Sequence, residues 1–439
     1  MTPRFLFALA VASASLISVP ASAALKCAEQ VMQTTVDAER QRTTDFLAAI
    51  VNRNSGTMNL AGVEAVRRLV EPQFRELGFK TEWIDMKAAG RAGHLVARHS
   101  GSKRGKRLLL IAHLDTVFEP DSPFQRWQLE GDRAHGPGAG DDKGGIAVIV
   151  AALRAMKAAG TLKRANITVF LTGDEEDAGN PITISRRDLI AEGKKADVAL
   201  DFENLATDDG PNGPVEMGSI ARRSAGSWTV TVTGQSAHSA GVGAGNYGAI
   251  YELARIIDQF RRELPEERLT YNVGLMGGGQ SAKLDEGRIR LEATGKTNII
   301  ASTAVARGDL RAISQDQIDR TRGKMRAIVA QSLTGAKAEI SFDEDAYPPM
   351  PPTEGNRALL GRLNAVNRDM GLPEMGELDP SKRGAGDISF VAADVDGLVG
   401  LGASGDGSHT DKEVVDIPSI FKQAKRAAIL MSRLAAERS

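Results

Sequence analysis

The 439-residue sequence has a single cysteine, Cys27, so no disulfide can form within the chain, and stability must come from packing or a bound group. It lacks an excess of either charge: 55 Lys and Arg face 56 Asp and Glu, a formal net charge of -1. That balance argues against nucleic acid or an anionic membrane surface as partner. It also lacks a long hydrophobic run except at the start, where Arg4 is followed by an apolar stretch from Phe5 to Val19 and small residues at Ala21 and Ala23. A membrane span needs about 20 such residues, so residues 1-23 are expected to be a secretory signal peptide cleaved after Ala23. The chain would then be exported, periplasmic or secreted.

What is present describes a soluble globular protein, with 42% hydrophobic and 25% charged residues. The length suggests about two or three domains. "NLAGVEAVRRLVEPQFRELGF" has helical spacing and stops at Gly78, with a strand expected next. "RLLLIAHLDTV" and "NITVFLTG" are nearly continuous apolar runs of the kind buried on both faces of a sheet. Between them "GGIAVIVAALRAMKAAG" reads as a helix with Ile146, Ile149, Val150, Leu153 and Met156 inward. This order predicts an α/β catalytic unit with a mixed, mostly parallel sheet flanked by helices.

Near residue 225 the pattern changes. "SWTVTVTG" alternates with period two, "NYGAIYELARIIDQFRREL" is an amphipathic helix, and "RLTYNVGLMGG", "TNIIASTAVARGDLRAI" and "AEISFDED" are further strand candidates. A capping box from Ser314 to Gln317 opens a second helix. The predicted organisation is therefore an inserted α+β domain of split βαβ kind at 225-341, interrupting a catalytic domain at 24-224 and 342-439.

The chemistry collects in short clusters. His113 and Asp115 in "AHLD" lie two apart at a strand end, so one can bind a metal while the other orients it. "GPGAGDDKGG" is a glycine-rich turn before a helix, but Asp141 and Asp142 would repel a phosphate and the Gly-Lys-Ser/Thr ending is absent. Asp141 and Asp142 suit either an acidic helix start or a bridge between two cations. "TGDEE" places Glu175 and Glu176 after a glycine; both can face one site only if the chain leaves extended geometry at Gly173, the alternative being a solvated acidic loop. "DVALDFEN" ends in Asp201 and Glu203, and "GASGDGSHTDKE" carries His409. Strand ends are where open α/β sheets bind ligands.

In order along the chain, "AHLDTV", "GAGDDKGG", "TGDEE", "DFEN", "GQSAHSAG", "GDLRA" and "GSHTDKE" resemble the peptidase M20 family of dinuclear zinc exopeptidases and deacylases, most of all its glutamate carboxypeptidase branch. The resemblance implies two zinc ions bridged by Asp141, one also held by His113 and Glu203 and the other by Glu176 and His409. It implies that Glu175 is the general base, that Asp115 orients His113, and that the Asp141-Asp142 peptide is cis. His238 would stabilise the oxyanion after domain closure or from a second subunit of a homodimer formed through the inserted domain. Asn298 and Arg311 would hold the substrate's carbonyl and carboxylate, and Gly384 in "KRGAGDISF" would line the substrate turn. His94, His99 and His135 match no ligand position, so solvated or structural roles are expected, and Lys143 is expected to brace its loop through its charge. The implied activity is hydrolysis of an amide bond beside a free carboxylate in a small peptide or acyl amino acid. An N-acyl amino acid deacylase and a non-catalytic binding homologue are the alternatives.

Overall fold

The protein is described here by a computed structural model covering residues 25-102, 104-211 and 213-438. The leader segment 1-23 lies outside the described residues. A six-stranded sheet runs in the order Lys80–Asp85, Gly93–His99, Asn166–Thr172, Arg107–His113, Val198–Asp201, Gly397–Val399. The last four of these are mutually parallel, while Gly93–His99 pairs antiparallel with both of its neighbours, which makes the sheet mixed and mostly parallel. The central strand Arg107–His113 is buried from Leu108 to His113, as a nearly continuous apolar run between two helical layers requires.

The helix predicted from "GGIAVIVAALRAMKAAG" spans Lys143–Ala158 and is buried on every side from Lys143 to Met156, rather than along one face. The reason is that it packs between the sheet and three further helices, Cys27–Ala38, Arg40–Val51 and Ile417–Ala436. The first two of these went unrecognised because their polar residues dilute the apolar spacing. The helix Leu60–Glu76 is capped by Asn59, whose side chain accepts the Gly62 N–H, and the turn after it passes through Gly78 at φ +94°, where glycine carries no Cβ penalty.

A second sheet is wholly antiparallel, in the order Thr270–Gly279, Thr303–Arg311, Gly226–Gly234, Ala336–Phe342. The helices Gly248–Glu263 and Gln315–Val329 cover it around a separate core that contains Trp228, Val230, Val232, Ile256 and Phe260. Ser314 caps the second helix by accepting the Gln317 N–H at 3.2 Å; the Gln317 side chain in return accepts from Ile313, one residue before the cap. Sequence periodicity missed the short ribbons, including Ser281–Leu284 with Leu291–Thr294 and Ala206–Gly210 with Gly213–Gly218, because they are too short and too exposed to alternate clearly.

Candidate metal centre

Three strands of the first sheet, Arg107–His113, Asn166–Thr172 and Val198–Asp201, deliver acid and imidazole groups at or just beyond their carboxyl ends. His113 is the last residue of its strand and is 1% exposed. Beyond Thr172 the chain bends at Gly173, where an added Cβ would lie 2.4 Å from the Gly93 carbonyl oxygen. Glycine is thus required there by the close approach of two backbones. After the bend, the N–H groups of Glu175 and Glu176 donate to the two oxygens of Asp115, at 3.1 and 3.2 Å. Asp115 also accepts from Thr57 Oγ1 at 2.6 Å, and its Oδ1 lies 3.4 Å from His113 Nδ1.

The Gly140-Asp141 turn is held from the far end of the chain by Glu413, whose Oε1 accepts both N–H groups, at 3.0 and 3.1 Å. The Asp141-Asp142 peptide is cis. Asp141 then presents Oδ1 3.1 Å from His113 Nε2 and Oδ2 3.3 Å from His409 Nε2, and the same His409 nitrogen is 3.1 Å from Glu176 Oε2. Potential ligand atoms of His113, Asp141 and Glu176 all fall within 4.8 Å of one another, as do those of His113, Glu175 and Glu203. Five residues drawn from across the sequence, His113, Asp141, Glu176, Glu203 and His409, therefore converge, with Glu175 among them.

The electrostatics ask for cations. The His409 imidazole is pushed up to about 11 by its hydrogen bonds to Asp141 and Glu176. Burial opposes charge on His113, yet the bonds to Asp115 and Asp141 raise it well above the usual histidine range. Burial first, then the charge of Glu203, raises the Glu175 carboxyl well above its ordinary value. Asp142 is fully buried and neither of its oxygens has a hydrogen-bond partner, and burial raises it as well. A cluster that drives both imidazoles to hold protons fits divalent ions that would take those protons' place, and the mixed nitrogen and oxygen donors suit a transition metal.

Other expected site residues are placed differently. His238 is exposed on the second sheet's side, its Nδ1 accepting from Ala240 N–H at 3.2 Å, and the exposed Asn298 pairs through its backbone with Ser239. Neither is among the side chains that meet at His113. Arg311 pairs with Asp309 at 2.9 Å and lies close to Gly384. Gly384 uses its carbonyl to accept from Arg222 Nε at 2.7 Å. Lys143 braces its loop by donating to the carbonyls of Arg53 and Pro137, and burial lowers it to about 7. His94 is structural: its Nε2 meets Ser185 O at 2.8 Å and its Nδ1 accepts the Gly173 N–H at 3.3 Å.

Sequence reasoning missed the supporting groups. Arg222, 5% exposed, places Nη1 2.8 Å from Glu203 Oε1 and donates to the Gly384 and Ala385 carbonyls. A Cβ on Gly386 would meet the same guanidinium at 2.2 Å, so the "GAG" turn is shaped to Arg222. Arg186 pairs with Asp174 at 2.6 Å and Asp387 at 2.8 Å. The available signal was a basic residue inside an otherwise apolar or small-residue stretch, as in "GSIARRSAG".

The model of Peptidase family M20/M25/M40 matches residues 109–433. Carboxypeptidase G2 of a Pseudomonas species is 28% identical over 403 residues, which span 89% of this chain and 88% of that protein. A tripeptidase from Staphylococcus aureus has the same fold, with a TM-score of 0.70 at 20% identity over 91% of this chain and 99% of that one. So does a dinuclear metal binding peptidase of the M20 family from Bacillus subtilis, with a TM-score of 0.64 at 14% identity over 91% and 99%. Taken with the convergent histidines and carboxylates, the match over residues 109–433 means that this chain belongs to peptidase family M20/M25/M40 and is a metallohydrolase.

Proposed function

We propose that this metallohydrolase is an exported zinc carboxypeptidase of the glutamate carboxypeptidase kind, cutting an amide bond beside a free carboxylate in a small peptide or acyl amino acid. The observation that carries the reading is Asp141, whose two oxygens face two different histidines at 3.1 and 3.3 Å. A carboxylate between two imidazoles suits a shared ligand, with His113 and Glu203 completing one position and Glu176 and His409 the other. When bound there, two divalent ions supply polarisation of the scissile carbonyl and acidification of water. Glu175 takes the proton from the attacking water and returns it to the leaving nitrogen, a transfer suited to a carboxyl that burial holds above its ordinary range. Arg311 and Asn298 would orient the substrate's carboxylate and carbonyl, and His238 would meet the oxyanion after closure or from a second subunit.

The similarity to carboxypeptidase G2 supports the choice of bond. A homodimer through the 225-341 unit is supported by the exposed Ile250 and Tyr251 on one helix and Met276 on an edge strand. The apolar leader at 1-23 supports export to the periplasm or beyond, and the separate core of the second sheet supports division of the chain at 24-224, 225-341 and 342-439. Metal analysis of the purified chain together with a panel of dipeptides, acyl glutamates and N-acetyl amino acids tests the reading. Two equivalents of zinc with cleavage of the first two classes is expected. Turnover confined to N-acetyl amino acids would overturn the carboxypeptidase assignment.

A further inference from the structure

The chain leaves the first sheet for the second through residues 222-225 and returns through 347-350. These segments run side by side: Arg222 and Met350 exchange backbone hydrogen bonds at 2.9 Å, and Ala225 and Tyr347 do so at 3.1 and 2.8 Å. The pairing sets the Tyr347 side chain against the loop that follows Thr172. Its hydroxyl donates to the Glu175 carbonyl oxygen at 2.8 Å and accepts from Arg186 Nη2 at 3.0 Å. Arg186 is itself fixed, donating to the Asp174 carbonyl at 2.9 Å and pairing with Asp174 and Asp387. The Tyr347 ring packs edge-on against Phe390, with centroids 4.8 Å apart.

Glu175 is therefore gripped on both of its peptide groups. Asp115 takes the Glu175 and Glu176 N–H groups, and Tyr347 takes the carbonyl between them. A part-buried carbonyl in an irregular loop has no ladder partner, so without its donor the peptide plane is free to turn toward another. Turning that plane swings the Cα–Cβ bonds of both Glu175 and Glu176. A displacement of about 1 Å at a reacting group costs about 100-fold in rate.

We propose that Tyr347 is a positioning residue for the reaction, its hydroxyl fixing the peptide from which the Glu175 and Glu176 side chains project. This rests on Glu175 being the general base. Nothing in the "AYPPM" segment that carries Tyr347 belongs to a motif used above, and it stands in the chain's second half only because the second sheet intervenes.

Tyr347→Phe removes one oxygen and keeps the ring on Phe390, whereas Phe390→Leu loosens the ring and keeps the hydroxyl. Both are to be measured on the full metal-loaded chain with an acyl glutamate substrate, beside Glu175→Gln. The expected result is a fall in kcat of about 10- to 100-fold for Tyr347→Phe, with KM and metal content at the parent level. Phe390→Leu is expected to keep kcat even where its melting temperature falls. If Tyr347→Phe does not fold, 4-fluorophenylalanine at position 347, which fills the hydroxyl's place without an O–H to donate to the Glu175 carbonyl, is expected to show the same loss of kcat. Parent-level kcat in Tyr347→Phe, or in a folded chain carrying 4-fluorophenylalanine in its place, or an equal loss in Phe390→Leu, overturns the proposal. If Glu175→Gln is dead while Tyr347→Phe is fully active, the positioning role alone fails; if Glu175→Gln still turns over, the base assignment fails and the proposal with it.

Discussion

Asp115 accepts the backbone N–H of Glu175 at 3.1 Å through Oδ1, the same oxygen that lies 3.4 Å from His113 Nδ1. Asp115 thus holds both the His113 imidazole, whose Nδ1 also lies 3.1 Å from the Asp115 carbonyl oxygen, and, through its carboxylate, the loop that carries the neighbouring acids. This is more than the two-residue spacing of "AHLD" implies, since the second task reaches across to another strand. Groups behind metal ligands commonly set ligand orientation and basicity.

Asp115→Asn puts an amide nitrogen where one accepting oxygen stood. It cannot satisfy Thr57, Glu175, Glu176 and His113 together. Metal affinity is expected to fall by about 10- to 100-fold, with a parallel loss of activity. Competition against a chromogenic chelator measures it, and parent-level affinity in a folded variant contradicts the dual role.

His409 approaches both Asp141 and Glu176, whereas His113 and Glu203 lie on the other side of the cluster. His409→Ala is expected to halve the bound metal, from about two ions to about one per chain, because only one position loses its nitrogen donor. Mass spectrometry under native conditions counts the ions. Two retained equivalents would show that His409 is not a ligand.

Arg186 is 1% exposed and pairs with the equally buried Asp174 and Asp387. Arg186→Met leaves two buried carboxyls without their cation, a change expected to cost about 3 to 5 kcal/mol of stability. Urea unfolding of the metal-stripped chain reads this without the contribution of bound ions. A loss below about 1 kcal/mol would mean that protonation of Asp387, already raised by burial, absorbs the change.

Glu216 joins the Gly213–Gly218 strand to the last helix through Arg426 at 2.6 Å and through Lys422. Burial works against its charge, but the Arg426 charge and the Lys422 bond outweigh it and hold the carboxyl below its usual value of 4.5. A depressed folded value means that the pair stabilises the fold above the unfolded pKa and loses that contribution as pH falls through the folded one. Glu216→Gln is therefore expected to lower the urea midpoint at pH 7, with the gap to the parent closing as pH drops below about 4. A gap that is constant with pH would assign the effect to packing.

Much of the frame was legible because it follows from local patterns. The continuous apolar runs at Leu108 to Ala112 and Ile167 to Leu171 became central parallel strands, and the alternation in "SWTVTVTG" became a strand with one face on a core. The metal-ligating types were legible as well, since a strand end carrying His113 or a turn carrying Glu175 and Glu176 is odd in a protein interior unless charge is to be matched. The helix Lys143–Ala158 was recognised, but its burial on all faces was not, because the helices that cover it come from the two ends of the chain.

Local chemistry in the sequence was enough to settle the longer central strands and helices and the residue types that can bind cations, because propensity and spacing act over a few residues. Only the tertiary structure decided which groups hold those residues in place. Glu413 on Asp141, Arg222 on Glu203 and Tyr347 on Glu175 are contacts across 272, 19 and 172 positions respectively, and no periodicity encodes a partner that is fixed by sheet order and by the pairing of two connecting segments.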